Sequence, residues 1–229
     1  AGIRVITWNP GYRKQRFIFS HYDSYHHTLI SESISKWKYM RWNKKIETEI
    51  LRYLKTRRLG TEDWIWFHKT PNFHIPNIKK KLSSKIIVCA LTSVMWDAQL
   101  HYKSNAFEDM LEWIFQTIEY FQNRKEIELI IRVHPAEVNG ALPSRQKMEN
   151  EIRKRYPKLG KNITIIPPES NISTYAITDI SNAVIIYNTK TGIELSSLGI
   201  PVIVAGEAWI RNKGFSFDVN SRHKYFDML

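Results

Sequence analysis

Between residues 85 and 205 short apolar runs alternate with longer helical patterns, and that alternation restricts the fold more than any other feature of the chain. The runs are KIIVCAL at 85–91, IELIIRV at 127–133, ITII at 163–166, AVIIY at 183–187 and PVIVA at 201–205. A strand with one wet face alternates apolar and polar residues, whereas an unbroken run marks a strand covered on both faces. Between the first two runs, Phe107, Met110, Leu111, Ile114, Phe115, Ile118 and Phe121 recur at i, i+3, i+4, i+7 spacing, which predicts a helix over about 105–122. Residues 144–156 predict a polar helix stopped before Pro157, residues 172–177 a short one, and residues 191–198 one ended by Gly199. Strands and helices in this order form right-handed βαβ crossovers. The expected fold is α/β, a Rossmann-like parallel sheet of about five strands flanked by helices, occupying 84–229.

The first third reads differently. Residues 3–8 and 17–20 predict two short strands around Asn9-Pro10-Gly11, followed by a polar, aromatic tract from Ser20 to His27. A helix starts near Ser31 or Ser33, carries Ile34, Trp37, Ile46, Ile50 and Leu54 on its apolar side, and stops at Gly60. A Trp-rich segment at 63–68 and a connector at 69–83, with Pro71 and Pro76, complete a small, mostly helical basic lobe. Its charge is distinctive: residues 1–80 hold 16 Lys/Arg against 6 Asp/Glu, whereas residues 81–229 hold 18 against 16. A positive field of this kind favours anionic partners such as nucleic acid, acidic lipid headgroups or an acidic polymer. No stretch approaches the roughly 18 apolar residues that span a bilayer. The first residues lack the layout of a signal peptide and enter directly into a strand-like run, so the expectation is a segment of a longer protein. Cys89 is the only cysteine, which excludes an internal disulfide and a Cys-based zinc site; inside an apolar run it reads as a buried, inert thiol, and a cytoplasmic setting follows.

In an open α/β sheet, ligands bind beyond the carboxyl ends of the strands. There stand Thr92 and Ser93, which can hydrogen-bond a ligand, and Asp97, which can orient one, act as a base or make a local turn. After the second run come Arg132, His134 and Pro135; Arg132 and His134 alternate onto one strand face, and together they suit a phosphate. After the fourth come Thr189, Lys190, Thr191, Gly192 and Glu194, where amides at a helix start suit an anion, Gly192 admits a close approach, Lys190 adds charge and Glu194 can reach ribose hydroxyls. Gly206 and Trp209 follow the fifth; Trp209 can stack on a base or fill a core. No GxxxxGK[ST] or GxGxxG occurs, which argues against a P-loop enzyme and against hydride transfer. His21, Asp23, His26 and His27 lack metal-ligand spacing, so neither a metal nor a cofactor is expected.

Three segments carry a resemblance: LTSVMWDA after the first run, IIRVHPAE after the second, and IPPESNISTYAITDISNAVIIYNTKTGIELSSLGIPVIVAG to the end of the sheet. They resemble bacterial capsule and surface-polysaccharide biosynthesis proteins, glycosyltransferases of the GT-B fold with two facing Rossmann-like domains, and in particular sialyltransferase-like and Kdo-transferase-like donor domains. The tracts SHYDSYHH and RRLGTEDWIWFH are also similar to this group. The resemblance implies that His134 contacts the donor phosphate or nucleotide, that Thr189, Thr191 and Gly192 cap that phosphate, and that Glu194 holds the ring of the nucleotide-sugar. It departs at Ser93, where related sequences lead one to expect Asn, and in length. Residues 1–83 would be the tail of an acceptor domain with the interdomain helix and connector. The implied reaction is transfer of a sugar from a nucleotide-sugar to a glycan or glycolipid acceptor, with Asp23, His26 or Asp97 as general base and contact with the anionic inner face of the cytoplasmic membrane. Two other readings stand beside it. One is a sugar-nucleotide epimerase or polyol-phosphate transferase on the same fold. The other is a basic nucleic-acid-binding module, suggested by the charge of residues 1–80 with its interleaved Trp and Tyr.

Overall fold

The first strand pair closes through a short turn in which the Gly11 N–H donates to the Arg16 carbonyl at 2.7 Å. It joins β1 (Ile6–Pro10) to β2 (Phe17–His21) in antiparallel register, Trp8 opposite Phe19. The computed structural model describes residues 2–67, 70–82, 86–96 and 102–229, in two units, Ala1–Trp66 and Phe67–Leu229.

In the first unit Ser24 caps α1 (Tyr25–Ile30) by accepting the His27 N–H. The single helix expected up to Gly60 is two, α2 (Ser35–Lys38) and α3 (Lys44–Leu59). Asn43 is the cause: its extended backbone interrupts the helix, and its side chain accepts the Ile46 N–H at 3.0 Å as a fresh N-cap. Gly60 ends α3 at φ +67°, and a Cβ there would stand 2.0 Å from the Trp66 ring, so this stop needs glycine for both conformation and space. Part of the basic charge is neutralised internally. Asp63 is buried and takes Arg57 at 2.5 Å, while Glu62 bridges Arg13 at 2.8 Å and Arg52 at 2.6 Å. Among the described apolar side chains of residues 2–66, only Ile30 and Leu54 are buried.

The second unit contains α4 (Pro76–Lys81), β3 (Ile86–Leu91), α5 (Met110–Gln122), β4 (Ile127–Arg132), α6 (Ala136–Asn139), α7 (Met148–Arg155), β5 (Ile163–Ile166), α8 (Thr174–Thr178), β6 (Ala183–Ile186), α9 (Thr191–Ser197), β7 (Val202–Val204), β8 (Phe217–Asp218) and α10 (Arg222–Met228). Its six strands run in the order β5-β4-β3-β6-β7-β8, every pair parallel, with Leu91 beside both Arg132 and Ile186. This is the doubly wound order 3-2-1-4-5-6, whose direction reverses between β3 and β6. Period-two alternation sorts the apolar runs onto two faces. Val88, Ala90, Leu129, Ile131 and Ile185 pack with Trp113, Ile114 and Ile118 of α5, Ile152 of α7 and Tyr225 of α10. Ile87, Cys89, Leu91, Ile130, Val184 and Ile186 pack with Ile78 of α4, Tyr175 and Ile177 of α8 and Leu195 of α9. Each such side chain contributes on the order of 1.5–3 kcal/mol when taken from water, so the two-sided burial is the main force holding this sheet. Cys89 lies in it fully covered, and burial pushes its thiol up to about 12.

Three departures from the local reading have plain causes. Helix α5 begins at Met110 rather than near 105, because Asp109 accepts the Glu112 N–H at 2.8 Å and Glu112 returns a bond from the Glu108 N–H at 2.7 Å, a reciprocal cap. The stretch expected as a connector carries α4, and the Asn72 N–H bonds the Asn171 carbonyl at 2.8 Å. Beyond 205 a sixth strand and a last helix are added; β8 is two residues long, too short to leave a period, and Tyr225 anchors α10 through Trp113 Nε1 at 3.0 Å and Thr117 at 2.8 Å. Among the described residues no helix is long and apolar enough to cross a membrane.

Candidate functional site

Because all six strands are parallel, the exits of β3, β4 and β6 lie on one edge of the sheet, with β3 in the middle. Neighbouring strands stand about 4.8 Å apart, so the turn after β4 and the turn after β6 face each other across about 10 Å. Thr92 ties the first two exits together. Its N–H and hydroxyl reach the Arg132 carbonyl at 3.2 and 3.4 Å, and its Oγ accepts the His134 N–H at 3.2 Å. Ser93 is buried and its N–H points to Met110 Sδ at 3.2 Å. Asp97 lies outside the described residues.

His134 is half-buried at the β4 exit, edge-on to Phe67 with ring centroids 5.2 Å apart. Pro135 is buried behind it, at the start of α6. The His134 Nδ1 accepts the Ala136 N–H at 3.1 Å, so the neutral ring carries its proton on Nε2. The orientation of the ring is thereby set by the backbone itself.

Arg132 does something else. Two residues apart on a strand, it and His134 were expected to form one phosphate clamp, but Arg132 is 2% exposed and its guanidinium donates to the carbonyls of Pro167 at 2.6 Å, Ser170 at 3.1 Å and Ile172 at 3.4 Å. Burial pulls its pKa down to about 10. It braces the turn after β5. Arg211, which local sequence did not single out, is its counterpart across the sheet: buried, it donates to the carbonyls of Ser104, Gly206, Val204 and Val219 and ties the β7 and β8 exits together. Burial lowers its pKa as well. No local spacing signals either role, since the acceptors are main-chain atoms brought in from other segments of the fold.

After β6, Thr189 Oγ accepts the Thr191 N–H at 3.4 Å and lies 3.3 Å from the Thr191 hydroxyl, so two half-buried hydroxyls stand at the helix start. Lys190 and Glu194, read as ligand groups, are joined instead in a buried chain: Lys190 Nζ lies 3.1 Å from one Glu194 oxygen, and the Tyr175 hydroxyl donates to the other at 2.5 Å. Gly192 is buried against the sheet. A Cβ there would meet Ile186 Cδ1 at 2.6 Å, so the glycine permits close packing of α9 on the sheet. Gly206 is likewise a packing glycine, with the Tyr187 carbonyl 2.6 Å from where its Cβ would be.

In the first unit the tract around Asp23 forms one defined pair. Asp23 Oδ1 accepts the Ser24 N–H at 2.7 Å and lies 2.9 Å from His27 Nδ1. The carboxyl is held below its usual range, chiefly by the Ser24 N–H, with His27 adding to it. His27, which the sequence reading did not single out, is therefore Asp23's partner; the four-residue spacing across the cap of α1 was its sequence signal. The His26 ring stands 6.2 Å from that of His27. Among the described residues no three His, Cys, Asp or Glu side chains gather as metal ligands.

A doubly wound sheet with polar side chains on the carboxyl edge of its switch point defines the second unit as a Rossmann-type domain. The chain belongs to the family of capsule polysaccharide biosynthesis proteins, whose model matches residues 12–226. Among solved structures it shares its fold with KpsC from Thermosulfurimonas dismutans, a β-Kdo 2,4 transferase, at 14% identity and a TM-score of 0.58, over 96% of this chain and 70% of that one. The β-Kdo 2,7 transferase of the same organism's KpsC matches at 17% identity and a TM-score of 0.47, over 90% of this chain and 56% of that one. S. aureus MnaA, in a co-structure with UDP, matches at 13% and 0.46, over 68% and 38%. No curated protein matches the sequence.

Proposed function

We propose that the chain is the donor-binding part of a glycosyltransferase that moves a sugar from a nucleotide-sugar onto a capsule or surface-polysaccharide acceptor. Membership of a capsule polysaccharide family supports this reading. The observation that carries it is the fixed orientation of His134, its Nδ1 occupied by Ala136, on the same sheet edge as the hydroxyls of Thr189 and Thr191. When the bond between the anomeric carbon and the phosphate oxygen breaks, negative charge accumulates on the departing nucleotide phosphate. Donors already aimed at that oxygen stabilise it without reorganising, and in many active sites such preorganised donors account for most of the rate enhancement. In this assignment His134 Nε2–H and the Thr191 hydroxyl are those donors, with the Thr189 hydroxyl donating to Thr191 in turn. Thr92 and Arg132 are positioning residues: Thr92 holds the His134 backbone, and Arg132 holds the turn after β5. Lys190, Glu194 and Tyr175 hold the start of α9. The acceptor must also lose a hydroxyl proton to a general base as the new bond to the anomeric carbon forms. The donor would be met on the cytoplasmic side.

A thermal-shift screen of the chain with CMP, UDP, GDP and CDP tests the reading. One nucleotide is expected to raise the midpoint by several degrees at about a hundredfold excess over Kd. His134→Ala should remove that rise while leaving the unliganded midpoint within about a degree. The absence of a shift with all four nucleotides overturns the proposal. Release of an epimerised sugar from donor alone, without acceptor, would convert it to the epimerase reading.

A further inference from the structure

The lobe that precedes the Rossmann-type domain has a second feature that the transfer reaction does not use. Between Ser33 and Lys45 lie five basic residues, Lys36, Lys38, Arg41, Lys44 and Lys45, and no acidic one. Among the described residues none of Lys36, Lys38, Arg41 and Lys45 has a carboxylate within ion-pair distance, whereas Lys44 pairs with Glu47 at 2.9 Å. Interleaved with them are apolar side chains that turn outward: Tyr39 is 79% exposed, Trp42 65%, Met40 61% and Ile34 41%. The Lys38 ammonium lies over the Tyr39 ring at 5.7 Å. Helix α2, at the heart of the segment, buries no side chain.

Exposed apolar side chains among unpaired cations are costly in water and need a surface that satisfies both. We propose that the segment Ser33–Lys45 docks the protein on an anionic lipid surface, with Trp42, Tyr39 and Met40 entering the headgroup layer and Lys36, Lys38, Arg41 and Lys45 meeting lipid phosphates. Trp and Tyr settle at such interfaces because one end of each ring system is apolar and the other hydrogen-bonds. Basic side chains beside an anionic leaflet add an attraction that salt screens. The side-chain chemistry favours lipid over a single-stranded nucleic acid. Base stacking uses aromatic faces, and Met40 and Ile34 have none to offer, whereas a lipid interface accepts both. The placement would hold the enzyme beside a lipid-linked acceptor, although the docking itself does not rest on the transferase reading.

Co-sedimentation of the 229-residue chain with vesicles of phosphatidylcholine alone, or mixed with phosphatidylglycerol, tests this. Binding is expected to the mixed vesicles only, and to weaken as salt rises. Lys36→Glu with Lys38→Glu should weaken it by at least about thirtyfold, from the charge lost at an anionic surface. Tyr39→Ser with Trp42→Ser should weaken it at every salt concentration. All four positions are exposed, so unchanged circular dichroism and thermal midpoints will show that the variants fold. Equal sedimentation of variants and wild type overturns the proposal, as does equal binding to phosphatidylcholine alone. Salt-sensitive binding to an oligonucleotide with vesicles ignored, or self-association abolished by the same substitutions, would reassign the surface to those partners and overturn it too.

Discussion

The two units spend their apolar residues in opposite ways. In the second, a parallel sheet is covered on both faces, and Trp113, Ile114, Ile118 and Phe121 of a single helix are wholly buried. In the first, Trp8, Phe17 and Phe19 of the hairpin stay more than half exposed, and only Ile30 and Leu54 are covered among the described apolar side chains. The first unit relies on ion pairs and caps, such as Arg57 with Asp63 and Asn43 at the start of α3. Apolar burial can therefore carry the stability of one unit, while polar contacts fix the local shape of the other and leave its apolar groups for surfaces.

Paired tryptophan substitutions put this contrast under the greatest strain. Trp113→Ala empties a buried site and removes one of the two hydrogen-bond partners of the Tyr225 hydroxyl, and should cost about 3–5 kcal/mol in denaturant unfolding. Trp8→Ala, at an exposed site, should change stability by no more than about 0.5 kcal/mol. Comparable losses at both positions would abolish the distinction. Next in size is Arg132→Ala, which takes a buried donor from three carbonyls, of which that of Pro167 keeps the Ser170 N–H, and should cost about 2–4 kcal/mol. His134→Ala should lower stability by less than about 1 kcal/mol yet eliminate nucleotide binding in calorimetry, which separates bracing from contact. A smaller effect is expected for Gly192→Ala. The added methyl meets the end of the buried Ile186 side chain, so about 1–2 kcal/mol should appear in thermal unfolding, with nucleotide affinity changed little.

Acid titration gives the smallest effect and concerns the first unit. The Asp23 carboxyl is held below its unfolded value, so its contribution to stability is present above that unfolded value and is lost as pH falls through the lowered one. Comparing thermal midpoints of wild type and Asp23→Asn from pH 7 downward should show a modest difference that closes only below the ordinary carboxylate range. A difference that persists in strong acid would mean that the ionised Asp23 carboxylate, held chiefly by the Ser24 N–H, is not the source.

Much of this protein was legible in the residues themselves. Apolar runs such as KIIVCAL and IELIIRV foretold parallel strands buried on both faces, and they pair side by side in the sheet. Gly60 and Gly199 stood where helices stop and have the positive φ expected of such stops. The family was legible too, from the segments around His134 and Thr191, and the family model spans them. Less of the candidate site could be read. Arg132, Glu194 and Gly192 have the chemistry of ligand contacts, but they are engaged by the carbonyls of Pro167, Ser170 and Ile172, by the Tyr175 hydroxyl and by Ile186.

The division has a physical origin. Strand, helix and stop are decided by forces within a few residues, namely side-chain periodicity, caps and the freedom of φ, and the sequence by itself determines them. Where a buried polar side chain finds its partner is a question of which distant backbone the fold brings within about 3 Å, and for Arg132 that backbone lies 35 to 40 residues away. The same holds for the brief β8 strand and for the anchoring of α10, which depend on the neighbouring β7 and on Trp113. Only the tertiary structure could decide these, because a hydrogen bond gains its value from desolvation and geometry that no local pattern encodes.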